Sequence, residues 1–563
     1  MHQKIGQPRI HSDGQVRQFH DSGMYGDQLL VDYLDAHARE RPDKIAIIEA
    51  HRQLSYREVA AWSENVAASL LKLGVGQGDV VAVKAPNWAE LPIIHFAANR
   101  IGAIFVPLSE GFRSREISHL LAQSRAKVVF CPRELRGTRH ADEIEQMRDL
   151  LPDLQHVVTM RDASTRGPSF DEMAAYDAWR VDEAPDWLSG QRADADAPSH
   201  VMVSSGTTGL PRCSMFSDNN TLVKLLQQYL PAARVDGADV AAALAPAGTG
   251  STGYNYPILT MLLVGGTSVM LEHWSAAQMS EPLELIKRYG CTVAVVVPAQ
   301  LAKLVQEATR HDYGITTLRV ITNAGAKLPA SVAEAAEQVF GCKVQSIYGT
   351  SEAGATAMTR VDDADSKRRG TVGQPLAGQE VKIIDDAGTA LRIGEIGEVC
   401  WRGSNKSYGF LNDAENTLRV WGTHGWLHSG DLGFIDAAGY LNIAGRKKDM
   451  IIRGGQNINP GAIEEALLGH PNISEIAIVA IVDEVLGERI AACAVARRQG
   501  VVPSLDSLKA LILDLGMAAW HQPECLLLLD ELPRNAGGKI DKKALSIMAT
   551  EAYTAGAGSP MHS

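Results

Sequence analysis

The chain has 563 residues, 45% of them hydrophobic and 21% charged, a composition typical of a globular protein with two or more domains. Its 54 Lys and Arg against 66 Asp and Glu give a net charge of −12, which argues against nucleic acid as the main partner because binding phosphates calls for a basic face. Seven dispersed cysteines exclude a disulfide framework and CxxC metal spacing, and they predict a reduced, cytoplasmic setting. A polar N-terminus and the lack of a long unbroken apolar stretch predict neither a signal peptide nor stable membrane association.

Helices and strands are predicted to alternate from residue 29 onwards. Residues 29–37 have helical spacing, 45–48 form a short strand, 62–73 form a helix and 79–84 form a buried strand. This alternation is typical of parallel sheets covered by helices. Residues 1–28 carry no periodicity, and we expect a loosely held tail there.

The alternation resumes after a polar connection that ends near residue 197. Strands are predicted over 200–203, 262–271, 292–297 and 318–322, and short β-rich segments begin at residue 381. We predict an α/β protein, with a large N-terminal domain of doubly wound α/β subdomains plus a small β-barrel, followed by a small mobile α+β C-terminal domain. The predicted parts are a tail over 1–28, an N-terminal domain over 29–445, a hinge over 446–449, a C-terminal domain over 450–550 and a tail over 551–563.

A turn rich in glycine and hydroxyl residues follows the predicted strand 200–203. It reads Ser204-Ser205-Gly206-Thr207-Thr208-Gly209 and leads into Pro211-Arg212-Cys213. Glycines let backbone N–H groups approach an anion, hydroxyls add donors and Arg212 adds charge, so the turn suits a polyphosphate. It is not the P-loop, because the fifth residue after Gly206 is Pro211. Taken alone, a mobile surface loop is about as consistent with this composition.

Four more polar clusters interrupt apolar patterns. The first pairs Asn323-Ala324-Gly325-Ala326 with a segment holding Tyr348, Gly349, Thr350 and Glu352, both at predicted strand ends, where open α/β sheets bind ligands. An aromatic ring, a glycine, a hydroxyl and a carboxylate there could hold a nucleobase, a phosphate and a divalent cation. A packed tyrosine beside a solvated glutamate is the alternative.

The remaining clusters surround three charged residues. Asp431 beside Gly430 could accept hydrogen bonds from ribose hydroxyls, and Arg446 could complete that grip. The last cluster places Lys539 after Gly537-Gly538. Each of these alone would more often be a turn with a surface charge.

In combination, order and spacing, the five clusters resemble the adenylate-forming superfamily of acyl-CoA synthetases, peptide-synthetase adenylation domains and luciferases. The likeness covers roughly residues 29–548. It also includes Pro86-Asn87-Trp88 with Gly102 to Pro107, Gly394 to Glu398 with Arg402-Gly403, and Gly454 to Ile458.

The resemblance implies a role for each matching residue. The ATP phosphates would be held by Ser204, Ser205, Gly206, Thr207, Thr208 and Gly209. The rest of the nucleotide would be held by Tyr348, Gly349, Thr350, Asp431 and Arg446. It further implies that Glu352 ligates Mg²⁺ and that Lys539 bridges the substrate carboxylate and the α-phosphate, with Thr207 and Arg212 in catalytic support. Gly454 and Gly455 would line the tunnel for coenzyme A, and Lys448 would be the hinge between the two halves of the reaction.

Two departures from the family pattern bear on activity. The family's loop normally ends in Pro-Lys-Gly, whereas Arg212 and Cys213 stand here, which motivates the hypothesis that adenylation is impaired and that a preformed acyl-adenylate is used instead. A tolerated variant in a fully active ligase is the alternative. The second departure lies at residues 247–253, a run of small residues where the family commonly places an aromatic and a histidine. The acyl pocket is expected at Gly248, Thr249, Gly325, Ala326 and Gly354, and these small residues predict a bulky terpenoid, steroid-like or alicyclic acid. A glycine-rich hinge filled by neighbouring side chains is the alternative.

The sequence therefore predicts an ATP-dependent acyl-CoA ligase acting on a small-molecule carboxylic acid. Three other classes stay open: an adenylation enzyme that loads a carrier protein, a luciferase-like oxidative enzyme, and a non-enzymatic binding module. Joint retention of Glu352, Asp431, Arg446 and Lys539 argues against the last. The sequence leaves a homodimer open.

Overall fold

The computed structural model describes residues 12–162, 168–175, 193–204, 210–275, 278–422, 425–453, 456–483, 486–497, 501–534 and 539–554. The chain divides into two compact units, residues 1–381 with 401–427, and residues 382–400 with 428–563. This division differs from the predicted boundary at 446–449, because the β-rich segment before that boundary groups with the second unit. The role of Lys448 as a hinge stays a prediction.

Strands occur throughout both units. In chain order they are β1 (Ile45–Ile48), β2 (Gln53–Ser55), β3 (Val80–Ala85), β4 (Ile104–Ser109), β5 (Ala126–Pro132), β6 (His156–Met160), β7 (Pro198–Val203), β8 (Cys213–Ser217), β9 (Val240–Ala243), β10 (Thr267–Met270), β11 (Val293–Val296), β12 (Val320–Ala324), β13 (Lys343–Thr350), β14 (Gly354–Met358), β15 (Gln374–Pro375), β16 (Gln379–Ile384), β17 (Gly397–Gly403), β18 (Leu427–Ile435), β19 (Leu441–Arg446), β20 (Ile451–Arg453), β21 (Gln456–Ile458), β22 (Ile473–Asp483), β23 (Gly487–Ala496) and β24 (Cys525–Leu529).

Helices connect most of these strands. The α-helical segments are Asp13–Asp21, Leu30–Glu40, Tyr56–Lys72, Glu90–Arg100, Ser114–Ser124, His140–Gln146, Phe170–Ala175, Asp218–Leu222, Leu230–Ala233, Thr252–Tyr254, Thr260–Val264, Ser280–Tyr289, Pro298–Arg310, Ala330–Phe340, Asp365–Gly370, Ala414–Trp421, Pro460–Leu467, Leu505–Asp514 and Lys542–Thr554. Two π-helical segments, Val223–Tyr229 and Asn255–Leu259, interrupt otherwise α-helical stretches, and short 3₁₀ turns lie at Arg148–Leu150, Lys447–Asp449 and Ala519–His521.

The first unit is built on two mainly parallel sheets. One has nine strands in the order β15-β14-β13-β12-β11-β9-β10-β1-β2, and the other has six in the order β6-β5-β3-β4-β7-β8. The strands β3, β4 and β11 are buried along their whole length, as the apolar runs in their sequences require when helices cover both faces of a sheet. The doubly wound α/β character predicted for this part of the chain is present.

Several residues predicted to bind the nucleotide or the acyl group lie at or just beyond the carboxyl ends of strands. Ser204 follows the carboxyl end of β7, and the loop with Gly248 and Thr249 follows that of β9. Asn323 lies near the end of β12 and Thr350 is the last residue of β13. Ligands of open α/β sheets bind beyond the carboxyl ends of strands, so these positions are suited to a binding site.

The second unit combines two further sheets. Strands β16-β17-β18-β19 form a four-stranded sheet in that order, and β21-β20-β23-β22 form another, with β24 parallel to β23. A small core of isoleucines and leucines, including Ile463, Ile478 and Ile512, fills the space between the latter sheet and its helices. This arrangement matches the predicted α+β character, while the predicted barrel is a four-stranded sheet in the described residues.

Two expectations about local structure need correction. Residues 12–28 are not a loose tail: Ser12 caps the helix Asp13–Asp21, and the buried Tyr25 donates a hydrogen bond to the carbonyl oxygen of Ser404 at 2.5 Å. The predicted strand 262–271 begins as the helix Thr260–Val264 and becomes β10 only at Thr267, after two glycines. An apolar run has no periodicity that separates a buried helix from a buried strand.

Within the described residues, no helix is both long enough and apolar enough to cross a lipid bilayer.

Candidate active site

The base of the Gly/Ser/Thr turn is closed by two hydrogen bonds. The Ser204 amide donates to the Arg212 carbonyl oxygen at 2.9 Å, and the Arg212 amide donates to Ser204 Oγ at 3.0 Å. Ser204 is therefore placed at the neck of the turn, with its Oγ engaged by the backbone. The other predicted phosphate donors, Ser205, Gly206, Thr207, Thr208 and Gly209, lie outside the described residues.

The two residues that depart from the family pattern are accommodated by the fold. The Arg212 guanidinium lies over the Phe410 ring, with 5.3 Å between its central carbon and the ring centroid. Cys213 is fully buried opposite Val203 in the β7–β8 ladder and is not among the residues with positive φ. An extended strand residue of this kind does not need the conformational freedom of glycine. Burial raises the pKa of the Cys213 thiol to about 12, so it is a neutral packing group.

The strand-end cluster is organised by the β13–β14 hairpin. Tyr348 lies edge-on to Trp401, with ring centroids 5.7 Å apart. Gly349 is required where it stands, since a Cβ there would lie 2.2 Å from the Gly354 carbonyl oxygen. The next residue, Thr350, has a buried hydroxyl oxygen without a hydrogen-bond partner in the described part of the chain. The hairpin thus holds an aromatic ring and an unsatisfied hydroxyl at the strand end.

Glu352 lies in the turn of the same hairpin. Its backbone carbonyl oxygen accepts a hydrogen bond from Ser407 Oγ, which holds the turn in place. Its half-buried side chain makes no ion pair with any residue that the structure describes. The Glu352 carboxylate and the Thr350 hydroxyl both offer oxygen, the donor that a hard divalent cation such as Mg²⁺ prefers.

Asp431 and Arg446 are brought together by strand register. They are directly opposite in the antiparallel β18–β19 pair, and Arg446 Nε lies 3.2 Å from Asp431 Oδ1. Gly430 has φ of +68°, and the Asp431 amide donates to Ser429 Oγ at 3.0 Å, so the backbone before the aspartate is tightly bent. Asp431 and Arg446 are fifteen residues apart in the sequence, and the β18–β19 hairpin brings them side by side.

The remaining predicted residues of the second unit are less fully defined. Lys539 directly follows residues 535–538, which lie outside the described residues. An antiparallel bridge pairs Arg534 with Ile540, the residue after Lys539. Lys448 lies in the 3₁₀ turn Lys447–Asp449. Its pKa is lowered mainly by partial burial and, to a smaller extent, by the positive charge of the nearby Arg446. Gly454 and Gly455, predicted for the coenzyme A tunnel, lie outside the described residues.

Two of the five residues assigned to the acyl pocket lie against neighbouring backbone. A Cβ on Gly248 would lie 2.8 Å from Ser109 Cα, and one on Gly354 would lie 2.8 Å from the Asn405 carbonyl oxygen. Close backbone approach explains these two glycines without a cavity, and the assignment of the five residues to the pocket stays a prediction. Ala326 is exposed, Gly325 has φ of +90°, and Thr249 Oγ1 lies 2.8 Å from Ser251 Oγ.

Several buried polar residues in the first unit were not predicted from the sequence. Lys224 and Asn255 both lie in π-helical segments, which often mark functional sites. Three buried atoms, Lys224 Nζ, Asn255 Oδ1 and His95 Nε2, have no hydrogen-bond partner among the described residues. Burial lowers the pKa of Lys224 to about 7, and His95 Nδ1 lies 2.8 Å from the Tyr254 hydroxyl. The available signal was a lysine inside an otherwise apolar run, residues 222–226.

Comparisons with known proteins cover almost the whole chain. A family model described as "AMP-binding enzyme" matches residues 34–411, and one described as "AMP-binding enzyme C-terminal domain" matches residues 462–539. The medium-chain fatty-acid–CoA ligase of Escherichia coli (strain K12) is 32% identical over 527 residues, covering 93% of this chain and 91% of the relative. The vibriobactin-specific 2,3-dihydroxybenzoate-AMP ligase of Vibrio cholerae is 28% identical, covering 94% and 95%.

Solved structures agree in fold. The anthranilate CoA ligase AuaEII, in complex with anthranoyl-AMP, superposes with a TM-score of 0.83 at 24% identity, covering 95% of this chain and 99% of that one. The apo structure of MbtA from Mycobacterium smegmatis has a TM-score of 0.71 at 30% identity, covering 95% and 98%.

Proposed function

We propose that this chain, which belongs to the AMP-binding enzyme family, is an ATP-dependent acid–CoA ligase that forms a thioester through an acyl-adenylate. The observation that carries the proposal is the joint match of both family models, since the second one extends to Lys539. Glu352 with its free carboxylate and the Asp431–Arg446 pair support it from the structure.

The proposed adenylation step brings two anions together. The substrate carboxylate attacks the α-phosphorus of ATP and pyrophosphate leaves, so positive charge must offset the repulsion where negative charge develops. Lys539 and Arg212 supply protein cations for this step. Mg²⁺, when bound at Glu352, supplies further charge compensation.

The proposed nucleotide contacts follow from the side chains on each hairpin. Asp431 accepts hydrogen bonds from the two ribose hydroxyls, and Arg446 orients its carboxylate. Tyr348 offers a ring face for adenine, while the turn that begins at Ser204 receives the phosphates through backbone N–H groups. In the second step the thiol of coenzyme A attacks the acyl carbonyl carbon and AMP leaves.

The proposed substrate is a carboxylic acid of medium-chain or aryl size. The relatives support this range through the names medium-chain fatty-acid–CoA ligase and 2,3-dihydroxybenzoate-AMP ligase. The bulky terpenoid, steroid-like or alicyclic acid predicted from small residues loses its main support, because Gly248 and Gly354 are packed against backbone.

A second candidate function keeps only the thioester-forming step. Arg212 and Cys213 motivate an enzyme that receives a preformed acyl-adenylate and transfers its acyl group to coenzyme A. Their ordinary packing on Phe410 and in the β7–β8 ladder favours the complete ligase instead.

One experiment tests the proposal. The purified chain is incubated with ATP, Mg²⁺, coenzyme A and a panel of medium-chain, aryl and bulky alicyclic acids, and the products are weighed by mass spectrometry. Parallel reactions replace acid and ATP by synthetic acyl-adenylates. We expect pyrophosphate, AMP and an acyl-CoA from at least one medium-chain or aryl acid. Thioester formed only from acyl-adenylates would favour the second candidate, and the absence of acyl-CoA from both sets of reactions would contradict both.

A further inference from the structure

Three side chains that commonly ligate transition metals converge on the β17–β18 strand pair of the second unit. Glu398 and Cys400 are alternate residues of β17 and so share one face of the sheet, and His428 lies on the neighbouring β18. One donor atom from each lies within 4.8 Å of the other two. Among the described residues no other group of three or more His, Cys, Asp or Glu side chains comes this close.

The distances fit a single ion with tetrahedral geometry. Cys400 Sγ lies 3.6 Å from His428 Nδ1, and that same nitrogen lies 3.8 Å from Glu398 Oε1. With zinc bond lengths of about 2.3 Å to sulfur and about 2.1 Å to nitrogen and oxygen, tetrahedral angles place sulfur and nitrogen ~3.6 Å apart and nitrogen and oxygen ~3.4 Å apart. The S–N separation already has the required value, the N–O separation exceeds it by a few tenths of an ångström, and all three donor atoms lie within 4.8 Å of one another.

The surroundings orient the carboxylate without blocking it. The Gly430 amide donates to Glu398 Oε1 at 3.2 Å, while Lys447 Nζ lies 3.3 Å from Oε2 and 2.8 Å from Asp386 Oδ1. Such contacts outside the ligand set commonly fix a ligating carboxylate. Oε1 is also the oxygen that lies 3.8 Å from His428 Nδ1. Lys447 has its charge shared between two carboxylates, which weakens its repulsion of a cation.

Exposure differs among the three ligands in a way that suits an open site. Cys400 is fully buried and Glu398 is 12% exposed, whereas the His428 side chain is 47% exposed. Solvent therefore reaches the histidine side of the site. Three protein ligands with one open position and mixed sulfur, nitrogen and oxygen donors are typical of a zinc site that keeps a water molecule.

We propose that Glu398, Cys400 and His428 form a site for a divalent transition-metal ion, taking Zn²⁺ with a water molecule as the fourth ligand. On binding, the Cys400 thiol loses its proton to the buffer and the sulfur becomes the ligand. The site is separate from the Mg²⁺ position proposed at Glu352, whose donors are all oxygen.

Occupancy of this site would brace the segment that presents Asp431. His428 is three residues before Asp431, and Ser429 Oγ donates to the Val399 carbonyl oxygen at 2.6 Å. A metal bond from His428 to β17 adds a further tie between the two strands at that point. We expect Zn²⁺ to stabilise the folded chain by binding the native state alone.

Cobalt spectroscopy tests the site directly. The untagged full-length chain is freed of metal with a chelator and titrated with Co²⁺, which substitutes for zinc and reports thiolate ligation by a near-ultraviolet charge-transfer band. We expect one equivalent of Co²⁺ per chain to produce this band together with visible bands of a tetrahedral site, and Zn²⁺ to abolish both. Absence of the band from the unmodified chain overturns the proposal.

Matched variants assign the signal to these residues. Cys400→Ala and His428→Gln should each lose the charge-transfer band, and the latter changes an exposed side chain, so folding is preserved. Cys493→Ala, which alters another fully buried cysteine, and Glu352→Gln should keep it. Zn²⁺ should raise the Tm of the unmodified chain but not that of His428→Gln. A band that survives Cys400→Ala, or disappears in Cys493→Ala or Glu352→Gln, would place the cobalt elsewhere. None of these readouts depends on ligase activity.

Discussion

The neck of the Gly/Ser/Thr turn and the Asp431–Arg446 hairpin meet the same requirement, presentation of polar groups from a strand end, in different ways. At the neck, Ser204 and Arg212 are joined through backbone groups, and the Arg212 side chain is stacked on Phe410. In the hairpin, the two side chains face each other because register makes Asp431 and Arg446 direct neighbours.

This difference indicates which substitutions each region tolerates. Where the backbone makes the connection, the side chains at 212 and 213 can vary as long as they pack, and the departures there need not impair adenylation. Where side chains make the connection, a change of one atom removes it. Substitutions at Asp431 and Arg212 test this contrast, while substitutions at Lys539 and Lys224 give the larger effects against which they are compared.

Lys539→Ala should produce the largest loss. Removal of the cation proposed to bridge carboxylate and α-phosphate should lower the rate of pyrophosphate formation by about 10²-fold or more, comparable to removal of a preorganised donor in other enzymes. Thioester formation from synthetic acyl-adenylate should change far less, because that step does not join two anions. Lys543→Ala, at an exposed position in the same region, serves as the control. Equal losses in both half-reactions would contradict the assigned role.

Lys224→Met should stabilise the chain. The Lys224 ammonium group lies over the ring of Phe216, a residue of β8. Burial lowers the pKa of Lys224 to about 7. Below pH 7 the native state carries the full cost of a buried charge. From pH 7 towards the ordinary lysine pKa the native state binds fewer protons than the unfolded state, so native stability rises with pH.

The variant should therefore exceed the unmodified chain in unfolding free energy near pH 6, with the difference shrinking as the pH approaches 10. Urea unfolding at several pH values measures it, with the exposed Lys543→Met as control. A constant difference across this range would show that Lys224 is not held with a lowered pKa.

Asp431→Asn should weaken nucleotide binding with little change in fold. The amide keeps the shape of the side chain but loses the charge that strengthens hydrogen bonds to ribose hydroxyls, so kcat/KM for ATP should fall by about tenfold, equivalent to roughly 1.4 kcal/mol. Asp386→Asn, an exposed carboxylate in the same unit, should leave kcat/KM unchanged. A similar fall in both variants would point to a general electrostatic effect.

Arg212→Lys should have the smallest effect. The charge is retained, while the planar group that stacks on Phe410 is lost, so we expect the rate of pyrophosphate formation to change by less than about threefold. Stopped-time pyrophosphate assays measure this. An increase of tenfold or more would mean that arginine does impair adenylation, and it would contradict the expectation that the side chain at position 212 can vary.

The positions of the candidate nucleotide residues at strand ends could be predicted from the sequence, while their roles stay predictions. Tyr348 to Glu352, Asp431, Arg446 and Lys539 interrupt apolar patterns with charge or glycine, and strand-end positions follow from the α/β alternation. The absence of a side chain at Gly248 does not by itself predict free space, because it can mean either a cavity or a neighbouring backbone, and the sequence does not distinguish them. Residues 12–28 were misjudged for a related reason, since Tyr25 is buried by residues about 380 positions away along the chain.

By itself the sequence determined the α/β alternation, the order of the polar clusters and the family resemblance, because these depend on local periodicity and spacing. Only tertiary structure decided that Arg446 faces Asp431, that Cys213 is an ordinary strand residue, and that Lys224 Nζ is buried without a hydrogen-bond partner in the part of the chain that the structure describes. It also decided that Glu398, Cys400 and His428 lie close together on the neighbouring strands β17 and β18. Such pairings depend on strand register and long-range packing, which bring together residues that no local pattern connects.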